Sequence, residues 1–199
     1  MVNQEDPRVL RTRQLIREAF RNLLRNKEFE AISIKDIAQR ATINRATFYA
    51  HYEDKYALLE EFTEQAFRER IPAQVVNAKE FTDEICDQLI LLTHHYIVEF
   101  YQICRMDSKS IAAFVDDKLK RILQQIIESI LLKDVNRRTA NRQHTKIISA
   151  MTGSAIYGAA HSWLTVGESG RTDLLVDIVR PYVMNSLAPL PTAPPPSTQ

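Results

Sequence analysis

The sequence predicts an all-α protein. Only four glycines occur in 199 residues and long runs lack proline, which disfavours a turn-rich β architecture. Apolar residues recur every three or four positions through most of the chain, which is the period of a helix with one buried face. A composition of 45% hydrophobic and 26% charged residues is ordinary for a soluble chain with one large core or two small ones.

Two short helical patterns near the N-terminus follow one another with too few residues between them for a strand or a long loop. Ser33, with Asp36 three residues later, is a good N-cap for a helix over about 34–40. Asn44 can cap a second helix, whose Phe48 points back into the pair. This arrangement predicts a helix-turn-helix.

One helix before this pair and one after it complete the N-terminal part. The first should run from Pro7 or Arg8 to Asn26, because proline suits the first turn of a helix. Asp54 can cap the later helix, which should end near residue 70, before Pro72. This later helix would join the helix-turn-helix to the rest of the chain.

The remaining chain predicts further helices separated by short connections. Residues 72–79 are expected to form a linker, and the basic, polar residues 133–143 a loop. Pro181 lies inside the final helix, so we expect a kink or a break at Arg180. The helices expected here span about 82–105, a short helix starting at Asp107 and Ser108, 116–132, 144–166 and 171–187.

Two stretches near the C-terminus have distinctive compositions. Residues 144–166 are rich in small side chains, including Gly153 and Gly158, so a neighbouring backbone should approach closely. Residues 188–199 are Pro-rich and uncharged, which predicts a disordered tail. No run approaches the roughly 18 apolar residues that a membrane span requires, so we expect a cytoplasmic protein without membrane contact.

Cysteine and histidine spacing predicts neither a disulfide nor a metal centre. Cys86 and Cys104 fall in one predicted helix, about 27 Å apart, so we interpret both as small buried hydrophobes. His95 and Glu99 lie one helical turn apart, but nothing supplies the remaining ligands of a metal. We therefore interpret His94 and His95 as satisfied or solvent-facing, and we expect no metal ion or other cofactor.

Positive charge is concentrated near the N-terminus. Residues 8–52 contain ten basic and four acidic side chains, a net charge of +6, whereas the whole chain carries only +1. Neutralising DNA phosphates requires such a basic face, although a cluster of charges is by itself more often a solvated surface.

The pattern Ile-Ala-x-x-Ala-x-Ile-x-x-x-Thr-Phe-Tyr-x-His-Tyr-x-x-Lys-x-x-Leu-Leu begins at Ile37. It resembles the DNA-binding domain of the tetracycline-repressor family of bacterial transcriptional regulators, and the resemblance covers roughly the first third of the chain. Many members carry glycine where Thr42 and Glu28 stand here. Because a turn often uses positive φ at the first of these positions and a β-branched residue adopts it reluctantly, a differently shaped turn is possible here.

The resemblance implies a DNA-binding domain at 1–53 and a helical effector-binding and dimerisation domain at 54–187, which the Pro-rich tail at 188–199 follows. Positions matching Thr47, Tyr49, His51 and Lys55 in the family mainly touch phosphates, whereas those matching Arg45 and Ala46 face base edges. Phosphate contacts fix the register, and base-edge contacts specify the sequence. The expected DNA-binding residues are Lys35, Asn44, Arg45, Ala46, Thr47, Tyr49, His51 and Lys55.

The same resemblance implies a repressor that a small molecule releases from double-stranded DNA. Two apolar helices at 144–166 and 171–187 have more hydrophobic face than one small domain needs, so we expect a homodimer on a palindromic site. Aromatic and polar side chains suited to an effector cavity are Tyr96, Phe100, Tyr101, Cys104, Met151, Tyr157, His161 and Trp163.

The sequence contains no recognised motif of catalysis. The chain contains no Gly-rich phosphate loop, nucleophile elbow, metal-binding helix or close carboxylate pair, so we do not expect an enzyme. The alternative left open by the sequence is a ligand-independent DNA-binding adaptor or DNA-organising protein.

Overall fold

A computed structural model describes residues 6–104, 109–134, 141–166 and 170–187, with only the backbone described at 103–104 and 109–111. All regular structure in these ranges is helical, which confirms the predicted all-α fold. A single 3-10 turn, Phe29–Ala31, precedes the second α-helix. The α-helices are α1 Pro7–Leu24, α2 Ile34–Arg40, α3 Arg45–Tyr49, α4 Lys55–Arg68, α5 Ala73–Asn77, α6 Asp83–Cys104, α7 Lys109–Lys133, α8 Arg142–Val166 and α9 Thr172–Ser186.

The first three helices form around a small apolar centre. Phe20 of α1, Ile37 of α2 and Phe48 of α3 are all fully buried. Their buried surfaces continue into the rest of the hydrophobic core rather than closing on themselves. This continuity matters because three short helices alone bury too little apolar surface for a robust independent domain.

Two predicted connections are wrong in the middle of the chain. Residues 73–77, expected within a linker, form α5, because Val75 is buried against the core. Residues 109–133 form one helix, whereas a separate helix was expected to begin at Asp116. The buried stripe extends to Val115, before that aspartate, so Asp116 is an interior residue of the helix and not its cap.

α8 packs against α6, α7 and α9. The predicted close approach occurs at Gly153, where an added Cβ would lie 3.0 Å from Gln124 N and 3.2 Å from Leu123 Cβ of α7. Gly158 is different, because nothing in the described chain lies within 4 Å of its added Cβ. One glycine therefore serves packing within the chain, and the other lies on an open face.

α9 continues through Pro181 without the break expected at Arg180. Pro181 and Asp177 both lie on the exposed side, where the carbonyl that loses its N–H partner can be hydrated. The Arg180 guanidinium donates hydrogen bonds of 2.5 and 2.7 Å to the carboxylate of Asp87 on α6. This bidentate pair fastens α9 to α6.

α4 contacts both ends of the molecule. Near its middle, Phe62 packs edge-on against Phe20 of α1, with ring centroids 5.6 Å apart. One turn later, Phe67 packs edge-on against Tyr96 of α6 at 5.1 Å. Lys118 of α7 pairs with two α4 carboxylates at 3.0 and 2.6 Å. A movement of α4 would therefore change its contacts with α1 and also its contacts with α6 and α7.

Several sequence predictions concern residues or side chains outside the described part of the structure. Asp107, Ser108 and the tail at 188–199 lie outside the described residues, as does the side chain of Cys104. Cys86 is fully buried as expected, and burial raises its thiol pKa to about 12. Within the described ranges, no helix is both long and apolar enough to cross a membrane.

Candidate nucleic-acid interface

Reciprocal capping fixes the start of α2. Ser33 Oγ accepts a 3.2 Å hydrogen bond from the Asp36 backbone N–H, and Asp36 Oδ2 accepts one of 2.9 Å from the Ser33 N–H. The backbone N–H of Ser33, followed by its hydroxyl, lowers the Asp36 pKa to about 2. Lys35 on the same helix is exposed and forms no ion pair with a described carboxylate, so its ammonium can reach a phosphate.

The turn between α2 and α3 keeps a left-handed residue even though glycine is absent. Thr42 has φ 57°. Its N–H donates to Gln39 O at 3.2 Å, and the Ile43 N–H donates to Ala38 O at 3.0 Å. These two bonds are those of a Schellman motif, which requires the left-handed conformation at the residue after the C-cap. The alternative of a differently shaped turn is therefore wrong, and Thr42 carries the strain of the conformation.

α3 presents a mixed polar and apolar face to solvent. Asn44 Oδ1 accepts hydrogen bonds from the backbone N–H and the hydroxyl of Thr47, at 2.7 and 2.9 Å. Fully buried Phe48 holds the other side of the helix against the core. The side chains left exposed on this helix are Arg45, Ala46 and Tyr49. They span one face of a helix small enough to enter a groove, with a guanidinium, a methyl group and a phenol.

His51 lies just beyond α3 and is half-buried. Burial lowers its pKa, and the charge of Arg13 lowers it further against the opposing effect of Glu61. The imidazole is therefore neutral at pH 7, and it can donate one hydrogen bond to a phosphate without adding a positive charge.

Lys55 has partners within the protein that the sequence did not predict. Its ammonium donates to the carbonyl oxygens of Phe29, Glu30 and Ile32 at 3.0, 3.1 and 3.2 Å. It also lies 4.5 Å from the centroid of the Phe29 ring, and its side chain is only 17% exposed. Because an ammonium has three donors, these carbonyls account for all of them. Lys55 thus joins the start of α4 to the turn before α2.

A partly buried polar network links the helix-turn-helix to α4. The Tyr52 hydroxyl donates to Glu61 Oε1 at 2.7 Å, and Arg17 of α1 donates to the same oxygen at 3.0 Å. Arg13 lies 3.7 Å from the other carboxylate oxygen and stacks over the Tyr52 ring at 5.6 Å. Sequence reasoning missed this network, because no local pattern marks Glu61 as the partner of two arginines on α1 and of a tyrosine after α3.

The predicted effector residues lie in different places. Tyr96 and Phe100 line a cleft between α1, α4 and α6. Met151 lines a separate groove between α8 and α9 and is 64% exposed. Trp163 is partly buried against the core, and the side chain of Cys104 lies outside the described residues.

The other three predicted effector residues form a polar cluster between α6, α7 and α8. The Tyr157 hydroxyl donates a hydrogen bond to Asp116, and burial followed by this carboxylate raises the Tyr157 pKa. Tyr101 Oη lies 3.4 Å from His161 Nε2, and the His161 ring stacks on Tyr157 with centroids 5.9 Å apart. This cluster ties the three helices together.

His95 and Glu99, the pair considered for a metal site, have other surroundings in the structure. Glu99 binds the Arg70 guanidinium at 2.9 and 3.0 Å, and His95 is exposed. His94 is 2% exposed, and neither ring nitrogen has a hydrogen-bond partner among the described residues, so its interpretation as satisfied or solvent-facing is wrong. The described part of the chain contains no group of three or more His, Cys, Asp or Glu that could hold a metal ion.

Comparison with known sequences points to one family for the N-terminal part. The family profile described as bacterial regulatory proteins, tetR family, matches residues 16–62. The uncharacterized HTH-type transcriptional regulator YxbF of Bacillus subtilis is 41% identical over 69 residues, which cover 34% of this chain and 18% of that protein. The HTH-type dhaKLM operon transcriptional activator DhaS of Lactococcus lactis is 37% identical over 60 residues, which cover 30% of this chain and 32% of that protein.

The chain thus matches only a minor part of each of these relatives. A comparison of structures extends over nearly the whole chain. The crystal structure of RolR in complex with resorcinol superposes with a TM-score of 0.54 and 18% identity, covering 92% of this chain and 96% of RolR. That similarity concerns the fold. Residues 16–62 thus match the tetR family of bacterial regulatory proteins, and the chain as a whole shares the all-helical fold of RolR.

Proposed function

We propose that the protein is a DNA-binding transcriptional regulator, with DNA binding by residues 1–53 and control by a helical domain at 54–187. The observation that carries this proposal is the exposed face of α3 on a domain with a net charge of +6 over residues 8–52. Basic charge supplies affinity for phosphates, and a short exposed helix supplies access to base edges. We therefore propose that the protein acts in the cytoplasm, where bacterial DNA lies.

We propose that the interface residues fall into two groups, those that contact base edges and those that contact phosphates. Arg45 can bond guanine through two N–H groups, and Ala46 can contact a thymine methyl group. Lys35, Tyr49 and the neutral His51 are suited to phosphates. The remaining predicted contacts, Asn44 and Thr47, cap α3 with each other and leave only limited hydrogen-bonding capacity for DNA. We assign Lys55 to positioning α4, because its donors are already used.

A homodimer is supported by an apolar face that the single chain leaves exposed. On α8, Ile147 and Met151 are 54% and 64% exposed, and on α9, Ile178 and Tyr182 are 49% and 78% exposed. A groove of about 330 Å³ runs between the two helices and can receive side chains from a second copy. Two-fold pairing of this face would carry two DNA-binding domains and require a palindromic operator.

The dimer proposal is tested by light scattering on Tyr182→Glu, with Leu10→Glu as the control, because Leu10 is an exposed apolar residue of α1. Tyr182→Glu should give the mass of one chain, because a charge would be buried in an apolar interface. Leu10→Glu should keep the mass of two chains, because α1 lies outside the face formed by α8 and α9. Wild-type protein with the mass of one chain at working concentration would refute the proposal.

Control by a small molecule is supported by the position of α4. Its N-terminal end follows the helix-turn-helix directly, and its later turns pack against α6 and α7. A ligand that favours one tilt of α4 would change the separation of the two DNA-binding domains. We propose that this releases the operator, which makes the protein a repressor. A coupling of about 1–3 kcal/mol would weaken DNA binding about 5- to 150-fold.

Selection from a random pool of duplexes tests the DNA-binding function itself. The purified full chain should enrich a palindromic sequence with half-sites about one or more helical turns apart. Binding to the selected duplex should weaken steeply as salt rises. No enrichment, together with no gel shift of any duplex at low salt, would exclude the function.

A further inference from the structure

We infer that the cleft between α1, α4 and α6 binds an organic anion with a flat aromatic body, such as an aromatic carboxylate. This inference names the site and the chemical class of the proposed effector, and it rests on the proposed function only for its consequence on DNA. The cleft has a volume of about 350 Å³, within the range of small-molecule sites.

Aromatic rings supply the apolar part of the cleft. Phe62 of α4 and both Tyr96 and Phe100 of α6 line it, and Ala66 leaves space between the two helices. The rings of Tyr96 and Phe100 are stacked, with an interplanar angle of 21° and centroids 5.8 Å apart. An apolar surface of this kind favours a planar ring over a compact inorganic ion.

Two of the three arginines at the cleft are left without a carboxylate. Arg70 already has partners within the protein, because it binds Glu99 at 2.9 and 3.0 Å and donates to the Ala66 carbonyl at 2.7 Å. Arg21 of α1 and Arg25, the C-cap of that helix, form no ion pair with any described carboxylate. Glu69 is also at the cleft, and its carboxylate accepts a 2.7 Å hydrogen bond from Gln65.

The two unpaired guanidiniums lie on one side of the aromatic surface. Arg21 and Arg25 are four residues apart, so they are neighbours on the same face of α1. Arg21 is held over the Phe62 ring at 5.6 Å from its centroid. A guanidinium presents a planar pair of donors that matches a carboxylate, and stacking on a ring leaves those in-plane donors free.

These features together select the class of ligand. A neutral aromatic molecule would fill the apolar part and leave both arginines without a counter-charge. An inorganic anion would pair with the arginines and leave the space beside the aromatic rings unfilled. An aromatic carboxylate satisfies both parts, and its two ends contact α1 and α6. Because α1 belongs to the DNA-binding domain and α6 to the C-terminal domain, such a ligand bridges them and favours one arrangement.

The test uses calorimetric titration of naphthoate and its neutral analogue naphthamide into the full-length protein without DNA. Naphthoate should bind at least about tenfold more tightly than naphthamide, because only the carboxylate forms charge-assisted hydrogen bonds. The Arg21→Gln, Arg25→Gln double variant should lose that preference. Arg11→Gln removes the same charge from the same helix outside the cleft, so it should leave naphthoate affinity unchanged.

A variant that fills the cleft gives a second, independent measurement. Ala66→Phe should abolish naphthoate binding, and circular dichroism checks that the variant keeps its helices. No naphthoate binding by wild type, equal affinities for acid and amide, or full binding by the double arginine variant would each overturn the inference.

Gel shifts of a selected duplex then separate this inference from the DNA-binding function. Saturating naphthoate should change duplex affinity at least fivefold in wild type and leave the double arginine variant unaffected. Duplex binding without naphthoate binding would refute the site and leave the proposed function standing. Naphthoate binding without any duplex binding would refute the function and leave the site standing. Binding of both with no effect on each other would overturn the regulatory consequence.

Discussion

The Tyr52 hydroxyl donates a 2.7 Å hydrogen bond to Glu61, and this bond joins the end of the helix-turn-helix to the middle of α4. Tyr52→Phe should lower the free energy of unfolding by about 1 kcal/mol. Glu61→Leu should cost more, about 2 kcal/mol, because it also leaves Arg13 and Arg17 unpaired. Urea unfolding at pH 7 measures both, with exposed Glu53→Gln as the control. A Glu61→Leu variant as stable as wild type would contradict the role of this network.

The left-handed turn residue predicts a substitution that stabilises the protein. Thr42 has φ 57°, whereas its neighbour Ala41 has φ −78°. Thr42→Gly should raise the free energy of unfolding by about 1 kcal/mol, because relief of the strain exceeds the entropy that glycine adds to the unfolded chain. Ala41→Gly should lower it by about 0.5–1 kcal/mol, because no strain is relieved there. If urea unfolding shows both glycine variants to be less stable than wild type, Thr42 does not carry the proposed strain.

Matched variants of Lys55 and Lys35 distinguish a lysine that positions α4 from a lysine that contacts DNA. Lys55→Met should lower the free energy of unfolding by about 1–3 kcal/mol, because three carbonyl oxygens lose a charged donor. Lys35→Met should change stability by less than about 0.5 kcal/mol and reduce the salt dependence of DNA binding by about one phosphate contact. Urea unfolding and anisotropy titrations in varied salt give the two readouts. A normal stability for Lys55→Met with a reduced salt slope would return Lys55 to the phosphate contacts.

Local features of the helix-turn-helix were predictable because short-range chemistry determines them. Ser33 and Asn44 cap α2 and α3 as expected, since each cap depends on residues three positions away. The carbonyl groups that bind Lys55 were not predictable as its partners, because they belong to a turn more than twenty residues earlier in the chain. The predicted effector residues lie in different places for the same reason. Helical periodicity identifies the buried face of α6, but the angle at which helices pack decides that Tyr96 lines one cleft and Tyr101 another cluster.

Buried His94 predicts a stability that falls in mild acid. Burial lowers its pKa from the ordinary value of 6.5, with a smaller contribution from His95. The unfolded chain therefore binds a proton at His94 more readily than the folded protein, and stability is lost as the pH falls below about 6.5. Thermal melting of wild type and His94→Leu between pH 7.5 and pH 5 measures this loss. The variant should show a smaller decrease in Tm over that range, and identical decreases would mean that His94 titrates normally.

The central claim is that α3 reads base edges through Arg45, and base-by-base specificity of Arg45→Ala tests it most directly. Anisotropy titrations would cover the selected duplex and its single-base variants, for wild type and for Arg45→Ala. For wild type, substitution of one base pair in each half-site should cost about 1–3 kcal/mol, and Arg45→Ala should lose that discrimination while keeping the discrimination at other positions. A variant that binds every duplex as wild type does, or that weakens all of them equally without losing discrimination at any base pair, would contradict the claim.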